Sequence, residues 1–236
     1  MSRKSLAHLS SVDLVMRELI AAAGPYRLRV EATCPPFQIL ARAIAHQQLN
    51  GTAADTILAR FIAACGAGAF PTPQAVLAAS DAQLRAAGFS FAKIAALRDL
   101  AAKTLSGTIP TREVLVTLDD EDIIERLTEV RGIGRWTVEM MLMFHLHRRD
   151  VLPVDDFGVR NGFRLAYGLR TLPAPRALKR YAERWAPHRT AAAWYLWRAV
   201  DLAKLGQLPD PPERFRLPRI PRTRGRRAAG GQRETR

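Results

Sequence analysis

The chain has 236 residues, 48% of them hydrophobic and 25% charged, a composition that can bury a sizeable core and that excludes wholesale disorder. No apolar run reaches the roughly 18 to 20 residues of a membrane-spanning helix. The N-terminal segment carries Asp13, Arg17 and Glu18 where a signal peptide needs apolar residues. Two cysteines, Cys34 and Cys65, are too few for a disulfide framework or a four-cysteine zinc or iron-sulfur site. We therefore expect a cytoplasmic protein without membrane contact.

The charge of the chain points to a polyanionic partner. Thirty-six basic against 22 acidic side chains give a formal net charge of +14 and a pI near 11.0. Only five of the basic residues are lysines, and the planar guanidinium of the 31 arginines suits phosphate. A genome whose base composition favours arginine is an alternative explanation of the ratio of arginine to lysine, but it does not explain why the net charge is positive. Nucleic acid is the leading candidate.

Apolar residues recur at helical spacing along most of the chain. Ser10 is placed to cap a helix that reaches Ala23, and only the short segment 26–30 has any character of a strand. Further helices are predicted over 37–48, 53–65, 73–79, 81–87, 91–105, 121–130, 135–147, 159–167, 177–185 and 189–205. The segment 219–236 holds seven arginines and little that could pack, which predicts a disordered basic tail. The pattern predicts a nearly all-α chain.

The segment 127–137, LTEVRGIGRWT, carries the most specific signal. An apolar helix ends at Val130, a Gly-Ile-Gly turn follows, and an amphipathic helix begins at Arg135. Glycines on both sides of Ile133 allow a tight turn whose N-H groups point outward, with the positive end of the next helix behind them. Such a turn suits a phosphate oxygen, with Ile133 packed inward. An ordinary helical hairpin is the alternative.

Downstream of this turn, VLPVDDFGVRNGF places Asp155 and Asp156 just before a helix predicted to begin near Phe157. The two segments together resemble the helix-hairpin-helix, Gly/Pro-rich loop and aspartate signature of the DNA glycosylase (HhH-GPD) superfamily that includes endonuclease III. Within it, the chain is most similar to the bacterial 3-methyladenine DNA glycosylase II subfamily. Three more stretches agree with that subfamily, namely ILARAIAHQQLNGTAA at 39–54, GFSFAKIAALRDLA at 88–101 and WAPHRTAAAWYLWR at 185–198. The resemblance covers roughly residues 34–205.

This resemblance implies an all-α protein of two helical lobes with a DNA-binding cleft between them. We expect a central lobe over 34–152 that contains the hairpin, and a second lobe built from 1–33 together with 153–218. Some relatives have a β-rich N-terminal domain, and the segment 1–33 is too short to hold one. The implied partner is double-stranded DNA, bound by a monomer.

The resemblance assigns the catalytic aspartate of the family to Asp156 rather than Asp155. Cleavage of a base from deoxyribose passes through a sugar with oxocarbenium character, so the site needs a fixed negative charge beside C1′ and a positioned water. A carboxylate that merely caps the helix at Phe157 is the alternative. The two roles are compatible, because a helix N-terminus favours a nearby negative charge. Asp155 would then support the loop or the cap.

Trp136 stands where glycosylases of this superfamily that also cut the strand have a lysine nucleophile, which implies hydrolysis without lyase activity. The indole of Trp136 either lines the base pocket or packs in the core. In the pocket its π face would attract a positively charged alkylated purine by about 0.5 to 2 kcal/mol. Trp197 resembles another pocket wall, with Trp194 and Tyr195 as alternatives, and Gln47 is a further pocket candidate.

A base that leaves the duplex opens a gap that must be filled. The resemblance assigns this task to Gln48, Leu49 and Asn50, of which Gln48 and Leu49 are favoured, and a helix end capped at Asn50 or Gly51 is the alternative. The candidate contacts to the DNA backbone are Gly132, Ile133, Gly134, Arg135, Ser90 and Lys93. The side chains of Ser90, Lys93 and Arg135 would otherwise be solvated surface.

No metal site is predicted, because His145 and His147 are two residues apart on a helix and face differently. No cofactor is expected, and a monovalent cation between the Gly132 to Gly134 turn and a phosphate is left open. The sequence thus predicts a monofunctional DNA glycosylase that hydrolytically removes alkylated bases, chiefly 3-methyladenine, in base excision repair. The alternatives are a glycosylase of the same fold for oxidised, deaminated or mismatched bases, and a non-catalytic module that binds damaged DNA.

Overall fold

The computed structural model describes residues 3–31, 33–49, 51–66, 68–213 and 215–217. This part of the chain contains α-helices and one 3-10 helix but no strand, so the all-α class is confirmed for it. The helices are α1 (Arg3–Val12), α2 (Leu14–Ala23), α3 (Pro36–His46), α4 (Gly51–Cys65), α5 (Pro73–Ala78), α6 (Asp81–Ala87), α7 (Phe91–Leu105), α8 (Arg112–Leu115), α9 (Asp120–Thr128), α10 (Arg135–Phe144), α11 (Phe157–Ala166), α12 (Pro175–Tyr181), a 3-10 helix (Ala182–Trp185) and α13 (Arg189–Lys204). None of them is long and apolar enough to cross a membrane. The predicted tail, 219–236, and the candidate Asn50 lie outside the described residues.

The single helix predicted to begin at Ser10 is wrong, because the chain breaks at Asp13 into α1 and α2. One carboxylate oxygen of Asp13 caps the first turn of α2. The other is buried and accepts hydrogen bonds from Tyr167 (2.7 Å), Tyr181 (3.0 Å) and the indole of Trp185 (2.9 Å). A buried carboxylate that used none of these donors would cost several kcal/mol. Asp13 therefore fixes the N-terminal helices against the last third of the chain.

The segment 26–30 forms no strand and instead joins two groups of helices. At its start the hydroxyl of Tyr195 donates to the carbonyl of Gly24 (3.0 Å). Beyond its end the N-H of Glu31 donates to the carbonyl of Phe144 (2.8 Å), at the last turn of α10. The segment is thus held at both ends against helices that are far apart in sequence.

The described helices pack in two sets, α3 to α7 with α9 and α10, and α1 and α2 with α11 to α13. The closest pair is α11 and α13, which cross at Gly162. A Cβ atom at Gly162 would lie 1.9 Å from the carbonyl oxygen of Leu196, so only glycine permits this approach. The crossing sets the start of α11, where Asp156 lies, against Trp197 of α13. The lobe boundaries given above stay a prediction.

Candidate active site

The hairpin between α9 and α10 presents unpaired backbone N-H groups to solvent. Gly132 has a φ of +78°, which a residue with a Cβ rarely adopts, and Ile133 is buried as expected. Within the described part of the chain, the exposed N-H groups of Gly132 and Gly134 donate no hydrogen bond. The positive end of the α10 dipole lies directly behind them. This geometry can receive an anion.

Two side chains from other helices hold the hairpin in place. The carboxylate of Asp99 on α7 accepts from the N-H of Arg131 (2.7 Å) and from Lys103 (3.0 Å). Burial alone would raise the pKa of Asp99, but these hydrogen bonds lower it below its ordinary value. The amide of Gln47, at the end of α3, donates to the carbonyl of Gly132 (2.7 Å). Gln47 thus couples the hairpin to the loop that was predicted to enter DNA.

Lys93 forms internal hydrogen bonds that the sequence did not predict. Its ammonium group donates to the carbonyls of Ala45 and Gln47, both at 2.8 Å, and closes the C-terminal end of α3. Burial lowers the pKa of Lys93. Two of its three N-H donors are thus used internally, and the phosphate contact of Lys93 stays a prediction that would use the third. Ser90 remains exposed, and its hydroxyl caps α7 by accepting from the N-H of Lys93 (3.3 Å).

The guanidinium of Arg135 also has partners within the protein. Its guanidinium donates to Glu139 through Nε (3.0 Å) and to both carboxylate oxygens of Glu121. Burial raises the pKa of Glu139 to about 7, against the opposing effect of Arg135 and with a smaller increase from Asp155. The predicted contact of this guanidinium with phosphate stays a prediction, and a phosphate would compete with these two side chains for its N-H donors.

Asp156 has the most ordered environment of the predicted residues. Its Oδ1 accepts from the N-H of Val159 (2.7 Å) and from the indole Nε1 of Trp197 (2.8 Å). Its Oδ2 accepts from the indole Nε1 of Trp136 (2.8 Å). The carboxyl group is half-buried and forms no salt bridge with any described residue. Three N-H donors suit an ionised carboxylate, which accepts only, and a lone pair on Oδ2 is left for a ligand.

The two tryptophans differ in exposure but share this carboxylate. Trp136 is 49% exposed, so it does not pack in the core. Trp197 is half-buried and stacks on Phe144, with ring centroids 6.0 Å apart. Tyr195, one of the alternatives, is fully buried, and Trp194 packs edge-on against Tyr195 and another tyrosine. Only Trp197 of these three donates to Asp156.

A cavity of about 410 Å³ opens beside Trp136 and has a mostly apolar lining. Its walls come from α10, including Thr137 and Phe144, and from the end of α3, including Gln47. Pockets of this size and character commonly hold a small planar ligand. Trp136 therefore joins a ring-sized cavity on one side to Asp156 on the other.

The loop after α3 presents the two favoured intercalating residues to solvent. Gln48 is exposed and has a φ of +58°, in the left-handed region that few non-glycine residues adopt. The neighbouring Leu49 is 40% exposed on the same loop. Gln48 also borders the cavity beside Trp136. The geometry brings the predicted plug next to the predicted pocket.

Comparison with known proteins identifies the family of the chain. Residues 41–188 match the family model described as HhH-GPD superfamily base excision DNA repair protein. The chain belongs to that superfamily. This HhH-GPD protein is 44% identical to DNA-3-methyladenine glycosylase 1 of Schizosaccharomyces pombe over 201 residues, which are 85% of the chain and 88% of the relative. It is 34% identical over 128 residues to DNA-3-methyladenine glycosylase 2 of Escherichia coli, but this covers 54% of the chain and 42% of the relative.

Solved structures give the same result. A 3-methyladenine DNA glycosylase of Schizosaccharomyces pombe in complex with abasic DNA superposes with a TM-score of 0.76 at 44% identity, covering 85% of this HhH-GPD protein and 98% of that chain. A DNA-3-methyladenine glycosidase from Bacillus halodurans superposes with a TM-score of 0.78 at 34% identity, covering 86% and 94%. The all-α fold with its helix-hairpin-helix is therefore confirmed.

Sequence reasoning missed Gly158, two residues after Asp156 in this HhH-GPD protein. A Cβ at this position would lie 2.8 Å from Cδ1 of Trp197 and 3.1 Å from Oδ1 of Asp156. The glycine thus makes room for the indole that holds the carboxylate. The available signal was the spacing of Gly158 and Gly162, four residues apart on one face of α11.

Proposed function

We propose that the protein is a monofunctional DNA glycosylase that flips alkylated bases, chiefly 3-methyladenine, out of duplex DNA and removes them by hydrolysis in base excision repair. The observation that carries this proposal is the carboxylate of Asp156, held by a helix N-terminus and two indole N-H groups, one of them from Trp136, which lines the cavity. The names of the relatives support the substrate class.

The chemistry follows from the charge distribution. As the bond between C1′ and the base lengthens, the base takes the bonding electrons and C1′ becomes cationic, beside the negative Asp156. A water molecule then adds to C1′ and loses a proton, which leaves an abasic sugar. An N3-alkylated purine begins with a positive charge and departs neutral, so it needs no general acid. Its charge also favours a stack against the exposed indole of Trp136.

Two features support hydrolysis without strand cleavage and without an iron-sulfur cluster. Residue 136 is a tryptophan, which offers no amine to form a Schiff base. The cysteines Cys34 and Cys65 are too few to ligate an iron-sulfur cluster. The hairpin offers neutral N-H groups to a phosphate, and a monovalent cation there stays an open alternative. Action as a monomer in the bacterial cytosol stays a prediction from the sequence.

The test is base release by Asp156→Asn, with Asp155→Asn as the matched control. Asp155 is exposed and accepts none of the indole hydrogen bonds, so its amide variant should retain activity. Loss of the negative charge at Asp156 should slow release of 3-methyladenine by roughly 10² to 10³-fold while DNA binding persists. Released bases are identified after incubation with methylated duplex, and strands are analysed before and after alkali.

The outcomes separate the candidate functions. Strand breaks only after alkali indicate hydrolysis alone, whereas breaks before alkali would indicate lyase activity. Release of oxidised, deaminated or mismatched bases instead would favour the related glycosylase, and binding without any release would favour a non-catalytic module. Equal turnover by wild type and Asp156→Asn would contradict the assigned role of Asp156.

A further inference from the structure

A second groove shares Phe144 with the proposed base cavity. It has a volume of about 780 Å³ and is lined by aromatic side chains, Phe144 and Trp197 among them, and by the arginines Arg27, Arg29 and Arg198. Trp197 both walls this groove and donates to Asp156 at 2.8 Å. A ligand in the groove would therefore lie about one indole away from the carboxylate.

The arginines of this groove are available for an external anion. Arg27 and Arg29 are exposed, and neither forms a salt bridge or a side-chain hydrogen bond with any residue that the structure describes. Arg198 differs, because Asp201 already neutralises it (2.6 Å). Arg27 and Arg29 thus leave two uncompensated positive charges beside the site.

The segment that carries these two arginines is fixed rather than free. Gly24 before it is held by Tyr195, and Glu31 after it is held by the carbonyl of Phe144. Tyr26 packs edge-on against the indole of Trp194, with ring centroids 5.1 Å apart. Guanidinium groups on a fixed segment lose less conformational entropy when they bind than groups on a mobile one.

Electrostatics supplies the reason for such charges. The negative Asp156 repels the phosphates of any DNA strand that brings a sugar to it. Lys93 and Arg135, two of the predicted phosphate contacts, already donate to internal carbonyls and carboxylates. Arg27 and Arg29 have no such partners among the described residues, and they line the same groove as Trp197, which donates to Asp156.

We infer that Arg27 and Arg29 form a phosphate-binding subsite for the DNA strand that carries the flipped nucleotide. This inference rests on the proposed function, since it assumes that DNA lies across the site. The hairpin then binds backbone phosphate through neutral N-H groups, and the groove binds phosphates of the damaged strand through charge.

The test compares Arg27→Gln/Arg29→Gln with a control that loses the same charge, Arg60→Gln/Arg180→Gln. Arg60 and Arg180 are exposed, form no salt bridge with a described residue and do not line the groove. Affinity for a duplex with an abasic site is measured by fluorescence anisotropy over a range of salt concentrations. The thermal midpoint of each variant verifies its folding.

Loss of two phosphate contacts should reduce the slope of log K against log salt by about 1.8 and weaken binding roughly 10- to 100-fold at 0.1 M salt. Base release at subsaturating enzyme should fall by about the same factor as the affinity, because DNA binding limits the rate there. An unchanged slope, or an equal change in the control, would overturn the inference.

Neutral methylphosphonate linkages identify the strand. Placed beside the lesion in the damaged strand, they should weaken DNA binding by the wild type and leave DNA binding by the Arg27→Gln/Arg29→Gln variant almost unaffected. The same result with the linkages in the opposite strand would refute the strand assignment. Failure of the proposed function appears separately, as an absence of base release by wild type, so the two failures are distinguishable.

Discussion

Replacing Gly158 with alanine should slow base release while leaving DNA affinity unchanged. The added Cβ would lie 2.8 Å from Cδ1 and 3.0 Å from Nε1 of Trp197. The indole cannot simply retreat, because its other side stacks on Phe144. It must tilt, and the 2.8 Å hydrogen bond from its Nε1 to Asp156 must lengthen or break.

The size of the effect follows from that hydrogen bond. A hydrogen bond to a charged group contributes about 1.5 to 3 kcal/mol. At about 1.36 kcal/mol per tenfold in rate, its loss from the oriented carboxylate corresponds to a decrease of roughly 10- to 150-fold. Alanine is favoured over glycine in a helix by about 1 kcal/mol, so Gly158→Ala should not unfold the protein.

The assay is single-turnover release of 3-methyladenine with enzyme in excess, together with binding to an abasic duplex. Trp197→Phe is the control, because it removes the N-H donor without adding volume. The double variant Gly158→Ala/Trp197→Phe should release base no more slowly than the slower of the two single variants, since both substitutions act through one hydrogen bond. The reasoning would be refuted if Gly158→Ala released base at the wild-type rate, or if the rate decreases of the two single variants multiplied in the double variant.

Two further predictions concern Glu139 and Leu49. Burial raises the pKa of Glu139 to about 7. The contribution of Glu139 to the free energy of unfolding is therefore fully present below about pH 4.5. About 3 kcal/mol of it is lost as the pH rises through 7. Urea unfolding of wild type and Glu139→Gln at pH 4.5 and 8 measures this difference, and a pH-independent difference would contradict it. Leu49→Ala should slow base release more in a fully paired duplex than opposite a mismatch, because the plug offsets the cost of unpairing; equal slowing in single-turnover assays would exclude that role.

The features that sequence predicted correctly depend on residues close together in the chain. The hairpin needs glycines on both sides of Ile133, and its turn formed as expected. Asp156 both caps α11, as its position before Phe157 indicates, and accepts from two indoles that the sequence had placed near the base. The resemblance supplied the order of these motifs, and the helical pattern supplied the fold class.

The features that sequence missed depend on partners far along the chain. Gln47 bonds to Gly132, 85 residues away, and Lys93 bonds to carbonyls 46 and 48 residues away. A charged side chain looks the same in sequence whether it faces solvent or closes a helix end. The break at Asp13 was missed for a similar reason, since its stabilising donors lie 154 to 172 residues away.

Because of these long-range contacts, the basic side chains predicted to meet phosphate are paired near the hairpin, whereas Arg27 and Arg29 in the groove have no partner among the described residues. Around the hairpin, the guanidinium of Arg135 is hydrogen-bonded to Glu121 and Glu139, and an anion there meets backbone N-H groups and a helix dipole. That interaction positions a phosphate without adding free positive charge near Asp156. The free guanidinium groups of Arg27 and Arg29 line the groove that Trp197 also lines, where we propose that phosphates of the damaged strand bind. The carboxylate can then remain the nearest full charge to C1′, because the cations that balance the phosphates are separated from it by an indole.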